Sequence, residues 1–163
     1  RKENPTGCPF CSGRNPTKEN NLLILFPEVT KEWHPTKNGD LVPQGFTGRS
    51  HKKVWWKCKK GHEYESLISN RTKSEKPTGC PSCSGKKPSK ENNLLILFPK
   101  VAKEWHPTKN GELTPEDFTH GSGKKVWWEC KRSHKWEAKI HKRTRKNKPT
   151  GCPYCSGRKK IEE

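Results

Sequence analysis

Methionine is absent from this chain of 163 residues, only two tyrosines occur, and apolar side chains of every kind make up just 26%. The mean hydropathy is −1.23. So little apolar material excludes one large core, and a chain this poor in it needs a stabiliser other than burial. No apolar run approaches the roughly 18 residues of a membrane-crossing helix, and no leader with a cleavage site is visible. A chain that begins at Arg1 and holds no methionine is expected to be a piece of something longer. Carboxylates are scarce as well: 17 Asp and Glu stand against 35 Lys and Arg, for a net charge of +18 and a pI of about 9.7. The excess runs the whole length, which is the electrostatic footprint expected of a protein that meets a polyanion, nucleic acid above all.

What the chain has in abundance is repetition. Shifted by 72 positions it lies on itself: Leu22-Leu23-Ile24-Leu25-Phe26-Pro27 meets Leu94 through Pro99, Glu32-Trp33-His34-Pro35 meets Glu104 through Pro107, and Val54-Trp55-Trp56 meets Val126-Trp127-Trp128. A fixed period marks strung or stacked supersecondary units. The expected division is a remnant of a preceding unit at 1–15, one full unit at 16–87, and a second at 88–163 that ends in a basic tail. The repeat is also a filter, because chemistry carried by one unit belongs at the matched position of the other.

Eight cysteines pass through that filter. Six form Cys-x-x-Cys pairs inside Gly-Cys-Pro-x-Cys-Ser-Gly, namely Cys8/Cys11, Cys80/Cys83 and Cys152/Cys155; the other two, Cys58 and Cys130, each have a histidine four positions on, His62 and His134. Thiolates and imidazoles presented in pairs from tight, glycine-rich turns suit a tetrahedral Zn2+ site. His51, His120 and His141 do not repeat, and His34 and His106 sit between Trp and Pro, where a capping or packing role is expected. Cys58 and His62 reach Cys80/Cys83 across 17 residues but Cys8/Cys11 across 46, so the short loop is preferred. One site is therefore assigned to Cys58, His62, Cys80 and Cys83, and the other to Cys130, His134, Cys152 and Cys155. Cys8 and Cys11 are left as half of a third site. Disulfides would not explain a repeated Cys-x3-His, and redox pairs belong at a helix start beside a sheet. With four protein ligands each, the sites read as structural zinc, worth on the order of 10–16 kcal/mol apiece. Thiols used in this way point to a reducing, intracellular compartment.

Within a unit, Pro27 is expected to open a short helix, with Val29 and Trp33 on one face and Pro35 as a stop. Asn38-Gly39 marks a turn, and 40–53 reads as a loop. Val54 to Cys58 reads as a strand, and Tyr64, Ser66 and Ile68 alternate on its returning partner. Trp33, Trp55, Val29, Leu25 and Phe26 are the expected apolar cluster. The fold class is thus a small, metal-stabilised α+β chain of tandem units, each a zinc-pinned β-hairpin with a short helix.

Glu-Trp-His-Pro-Thr-Lys-Asn-Gly, Lys-Lys-Val-Trp-Trp-x-Cys, His-x-(Tyr/Trp)-Glu, Arg-Thr and Gly-Cys-Pro-x-Cys together resemble the probable zinc-ribbon, or treble-clef, repeat family. The resemblance covers roughly 20–84 and 92–156. It implies tandem zinc units, the same Cys, His, Cys, Cys ligands, and sometimes a place in one chain with an endonuclease domain. Ser133 departs from the pattern, which has glycine there as at Gly61.

Three functions follow as expectations. In the first, a nucleic-acid-binding module, Lys52, Lys53, Lys59, Lys60 and Arg71, with Lys124, Lys125, Lys131, Arg132, Arg143 and Arg145, neutralise DNA or RNA phosphates. Trp56 and Trp128 either stack on unpaired bases or pack in the core. The second is a structural zinc protein within a ribonucleoprotein or protein assembly. The third is the targeting arm of a nuclease whose catalysis lies elsewhere. Glu63 becomes Lys135 in the second unit, Glu65/Glu137 stands alone, and no paired carboxylates or phosphate-cradling loop is seen, so neither an enzyme, a small-molecule substrate nor a membrane partner is expected from these residues.

Overall fold

A computed structural model describes residues 15–160 of the chain, which divides after Pro81 into two compact units. Cys8 and Cys11 lie outside the described residues. Both units follow one plan: two single helical turns, a 3-10 turn, an antiparallel hairpin and one more helical turn.

The first unit starts from Asn21. Its side-chain oxygen accepts from the Ile24 N–H at 3.2 Å and caps α1 (Leu22–Leu25), while its amide group donates back to the carbonyls of Thr17 and Lys18. Phe26 then leaves helical geometry, and Pro27 opens α2 (Pro27–Thr30), where a proline's missing N–H has no partner to lose. Beyond α2 the Lys57 N–H donates to the Glu32 carbonyl, Trp33 bridges Trp56, and the His34 N–H donates to the Trp55 carbonyl. Residues 32–34 thus lie along one edge of the hairpin. The stretch expected as a plain loop is pinned instead: Pro43–Gly45 form a 3-10 turn, the Phe46 carbonyl accepts from the Leu22 N–H at 2.7 Å, and Thr47 bridges Asn21.

The hairpin joins β1 (Lys53–Lys57) to β2 (Glu63–Leu67), pairing Trp55 with Glu65, Trp56 with Tyr64 and Lys57 with Glu63. Successive strand side chains face opposite ways. Val54, Trp56 and Tyr64 therefore point inward, and with Leu22 and Ile68, the first residue of α3 (Ile68–Arg71), they make the core; Phe26, Val29, Trp33 and Phe46 pack against it. Trp33 meets Trp56 edge-on, with ring centroids 5.5 Å apart, and the Trp56 indole N–H donates to the Ser66 carbonyl.

Two expectations about this core are corrected. Trp55 is on the outer face of β1, half-buried beneath the Lys37 ammonium 4.5 Å from its ring, because Val54 and Trp56 take the inward positions. Leu25 is 55% exposed, since a single helical turn buries only Leu22 of its four residues.

The second unit repeats the plan with α4 (Leu94–Leu97), α5 (Pro99–Ala102), β3 (Lys125–Glu129), β4 (Lys135–Lys139) and α6 (Ile140–Thr144) around Leu94, Val126, Trp128, Trp136 and Ile140. Among the described residues no helix is long and apolar enough to cross a membrane.

Candidate metal centres

Each centre is built on the hairpin turn. β1 ends at Lys57, the Cys58 N–H donates to the His62 carbonyl and the Gly61 N–H donates to the Cys58 carbonyl, a tight loop that needs a positive φ, 82° at Gly61. The turn brings Cys58 and His62 onto one side of the chain. Their partners arrive from the knuckle after α3, where the Thr78 N–H and hydroxyl both donate to the Asn70 carbonyl and set Cys80 back beside the hairpin.

The Cys58 sulfur lies 3.5 Å from His62 Nδ1, and the Cys80 sulfur 3.7 Å from the same atom. In the second unit His134 Nδ1 lies 3.5, 3.6 and 3.4 Å from the sulfurs of Cys130, Cys152 and Cys155, and the sulfurs of Cys130 and Cys155 are 3.8 Å apart. In both clusters all four donor atoms fall within 4.8 Å of one another. A tetrahedral ion with metal–sulfur bonds of about 2.3 Å and metal–nitrogen bonds of about 2.0 Å requires separations of about 3.6 Å for sulfur–nitrogen and 3.8 Å for sulfur–sulfur. The donor set and its spacing fit such an ion. They do not fit a disulfide, whose sulfurs lie about 2.05 Å apart.

The thiols also perturb one another. Lost solvation, followed by hydrogen bonds that the protonated thiol makes with Cys152 and Cys130, pushes the Cys155 thiol up to about 11. Burial acts the same way on Cys130, but hydrogen bonds from the backbone amides of Arg132 and His134, together with those of Cys155 and Cys152, draw that thiol below its ordinary value. Crowding thiolates in this way is favourable only around a cation. Tyr154 lies against the His134 ring, with centroids 5.4 Å apart.

The remaining histidines stand apart from both clusters. His34 and His106 are buried, and each Nδ1 accepts two backbone N–H groups, from Thr36 and Lys37 and from Thr108 and Lys109. The imidazole proton is therefore placed on Nε2, which faces Glu63 at 3.1 Å in the first unit and Glu129 at 3.7 Å in the second. A hydrogen bond from Lys37, then the neighbouring His34 imidazole, holds the Glu63 carboxyl at about 2.

The basic residues expected at phosphates divide into groups. Lys52, Lys59, Lys60, Lys124, Lys131 and Arg132 are exposed. Lys53 and Lys125 are exposed but pair with Glu65 and Glu137 across the strands. Arg145 is exposed, and its Nε donates to the Lys148 carbonyl. Arg71 and Arg143 are corrected: they are 7% and 6% exposed, their guanidinium groups bond Glu32 and Glu104, and each lies over the inward aromatic pair, Trp56 with Tyr64 and Trp128 with Trp136. A buried, paired guanidinium has no face left for a phosphate. Trp56 and Trp128 are fully buried, so base stacking on them is ruled out in this fold.

The buried Arg–Glu pair is what sequence reasoning missed. All four residues repeat in register, and a carboxylate retained in so basic a chain was the available signal.

A family model described as a probable treble clef zinc finger domain matches the chain twice in tandem, over residues 29–86 and 101–158. The chain belongs to this family, and zinc is the ion inferred for its two clusters on that basis. No curated protein matches the chain.

Proposed function

We propose that this member of the probable treble clef zinc finger family binds nucleic acid, DNA or RNA, chiefly through the phosphate backbone. What supports the reading above all is the hairpin tip. Lys59-Lys60 and Lys131-Arg132 occupy the turn between the cysteine and histidine ligands in each unit and are exposed. No carboxylate stands within ion-pair distance of them among the described residues. A metal-pinned turn holds these cations outward without the ordering cost that a loose loop incurs, and two such tips on one chain raise the effective concentration at neighbouring phosphates. We assign the described residues no catalytic role; as a targeting arm, the module would serve catalysis carried elsewhere in a longer protein.

The test is a gel-shift series with DNA and RNA at several salt concentrations, using the intact chain and a variant carrying glutamate at Lys59, Lys60, Lys131 and Arg132. Binding should weaken, and the slope of log affinity on log salt should fall by about 0.9 for each duplex phosphate that the variant no longer neutralises. Unchanged affinity and slope would reject the reading.

A second reading, as a structural piece of a larger assembly, draws on one observation. Ile24 and Leu25, with Ile96 and Leu97, expose 45–56% of their surface on the same helical turn of each unit. Apolar side chains repeated in register at the surface favour a protein partner, whose binding would respond little to salt.

A further inference from the structure

The two units differ where a groove opens in the first. It has a volume of about 980 Å3 and is lined by Phe26, Gly48, Arg49, His51, Asn70 and Lys73 among others, with no carboxylate in its wall. Arg49, His51 and Lys73 are exposed and have no ion-pair partner among the described residues. One groove therefore offers an aromatic ring, side-chain amides and three basic groups.

The second unit shows what that phenylalanine can accept. There Gly48, Arg49 and His51 are replaced by His120, Gly121 and Gly123. The His120 imidazole stacks on the Phe98 ring with centroids 5.4 Å apart and planes inclined by 30°. In the first unit position 48 has no side chain to do this, and Phe26 lies against the Gly48 backbone, 2.4 Å from where a β-carbon would stand. The backbone at this position is held alike in both units, by the Thr72 hydroxyl donating to the Gly48 carbonyl and the Thr144 hydroxyl to that of His120. The second unit thus covers its phenylalanine with its own heterocycle and has glycine in place of Arg49 and His51, while Lys139, His141, Lys142, Arg145 and Lys146 stand at the positions of Leu67, Ser69, Asn70, Lys73 and Ser74. The first lacks the heterocycle and lines its groove with Arg49, His51 and Lys73.

We infer that the groove of the first unit binds an unpaired nucleotide of a single strand, the base against Phe26 and its phosphates among Arg49, His51 and Lys73. This rests on the nucleic-acid reading above and names the form of ligand that one unit selects. A base in a duplex has both faces stacked and cannot enter, whereas every unpaired base offers a π face. Cations without carboxylates complement phosphate and not a neutral or basic peptide.

The test uses the whole zinc-loaded chain, a short labelled oligo-dT and a duplex of equal length at one salt concentration. Two variants borrow the second unit's own residues: Gly48→His fills the groove, and Arg49→Gly with His51→Gly removes basic groups while leaving it open. Zinc content and circular dichroism report whether each variant is folded, and the paired glycine variant keeps the test decisive if Gly48→His does not fold. The inference expects the intact chain to prefer oligo-dT, Gly48→His to lose about tenfold in oligo-dT affinity, the scale of one base–aromatic stack, and the paired glycine variant to lose oligo-dT affinity through its missing phosphate contacts, each with a much smaller change for duplex. Oligo-dT affinity that survives both substitutions, or that falls only in parallel with duplex affinity, overturns the groove assignment and leaves backbone binding standing. An intact chain that binds neither probe overturns both.

Discussion

Glu63 faces Lys57 across the first hairpin, and the second unit holds the same two charges in exchanged places, Glu129 on β3 facing Lys135 on β4. The exchange keeps a carboxylate beside the buried histidine, since Glu63 reaches His34 and Glu129 reaches His106. What is maintained is a carboxylate facing a buried imidazole, and either strand can supply it. A substitution of Glu63→Lys alone should therefore cost the first unit about 1–3 kcal/mol by removing the carboxylate that faces the buried imidazole and setting a cation there. Adding Lys57→Glu recreates the second unit's arrangement and should recover most of the loss. A double-mutant cycle from urea denaturation measures this, and additive effects would remove the histidine from the explanation.

Trp55 and Trp56 are neighbours in sequence with opposite fates. Trp56→Ala should cost about 3–5 kcal/mol, enough to unfold a unit this small, because its ring is fully buried against Trp33 and beneath Arg71. Trp55→Ala removes a half-exposed ring and one cation–π contact with Lys37, worth about 0.5–1 kcal/mol at such a site. Thermal unfolding of the two variants should separate them clearly. Equal losses would contradict the strand register.

Removing one ligand should act on one unit. Cys80→Ser should lower bound zinc from two ions per chain to one, in line with the two clusters, and unfold the first unit while Cys130, His134, Cys152 and Cys155 keep theirs. Acid acts in the same direction on both centres. Thiolates and neutral imidazole are the ligating forms, so protons compete with the ion and stability falls as pH falls. Metal analysis after dialysis, with circular dichroism on the same samples, checks both statements.

Ser133 holds a φ of 59° at the position where Gly61 has 82°. A side chain in the left-handed region costs about 1–2 kcal/mol, partly offset because glycine loses more entropy on folding. Ser133→Gly should therefore stabilise the second unit by up to about 1 kcal/mol, and Gly61→Ser should destabilise the first by a similar amount. Opposite shifts of the two melting transitions are the expected result.

The ligand clusters were legible in the chain itself because zinc chemistry restricts residue types and spacings so tightly, and the repeat removed the stray histidines. The hairpin was legible from Val54-Trp55-Trp56, and α2 from Pro27. Illegible were contacts between residues far apart in the chain. The pairing of Arg71 with Glu32 spans 39 positions, and nothing local distinguishes that arginine from Lys73 two residues later. The one-residue choice between Trp55 and Trp56 failed for a related reason. Two adjacent aromatics carry no alternation of their own, and only the cross-strand partners and the packing of Trp33 decide which ring turns inward.

By itself the sequence determined the number of units, the four donors of each described centre and the basic character of the whole, because each depends on composition or on spacing along the chain. Which cations reach solvent, which tryptophan forms the core, and where a ring lies beside unpaired basic groups were decided only by tertiary structure. Those are properties of surfaces, and a surface exists only once distant segments have packed and each side chain has been assigned to one side of its strand.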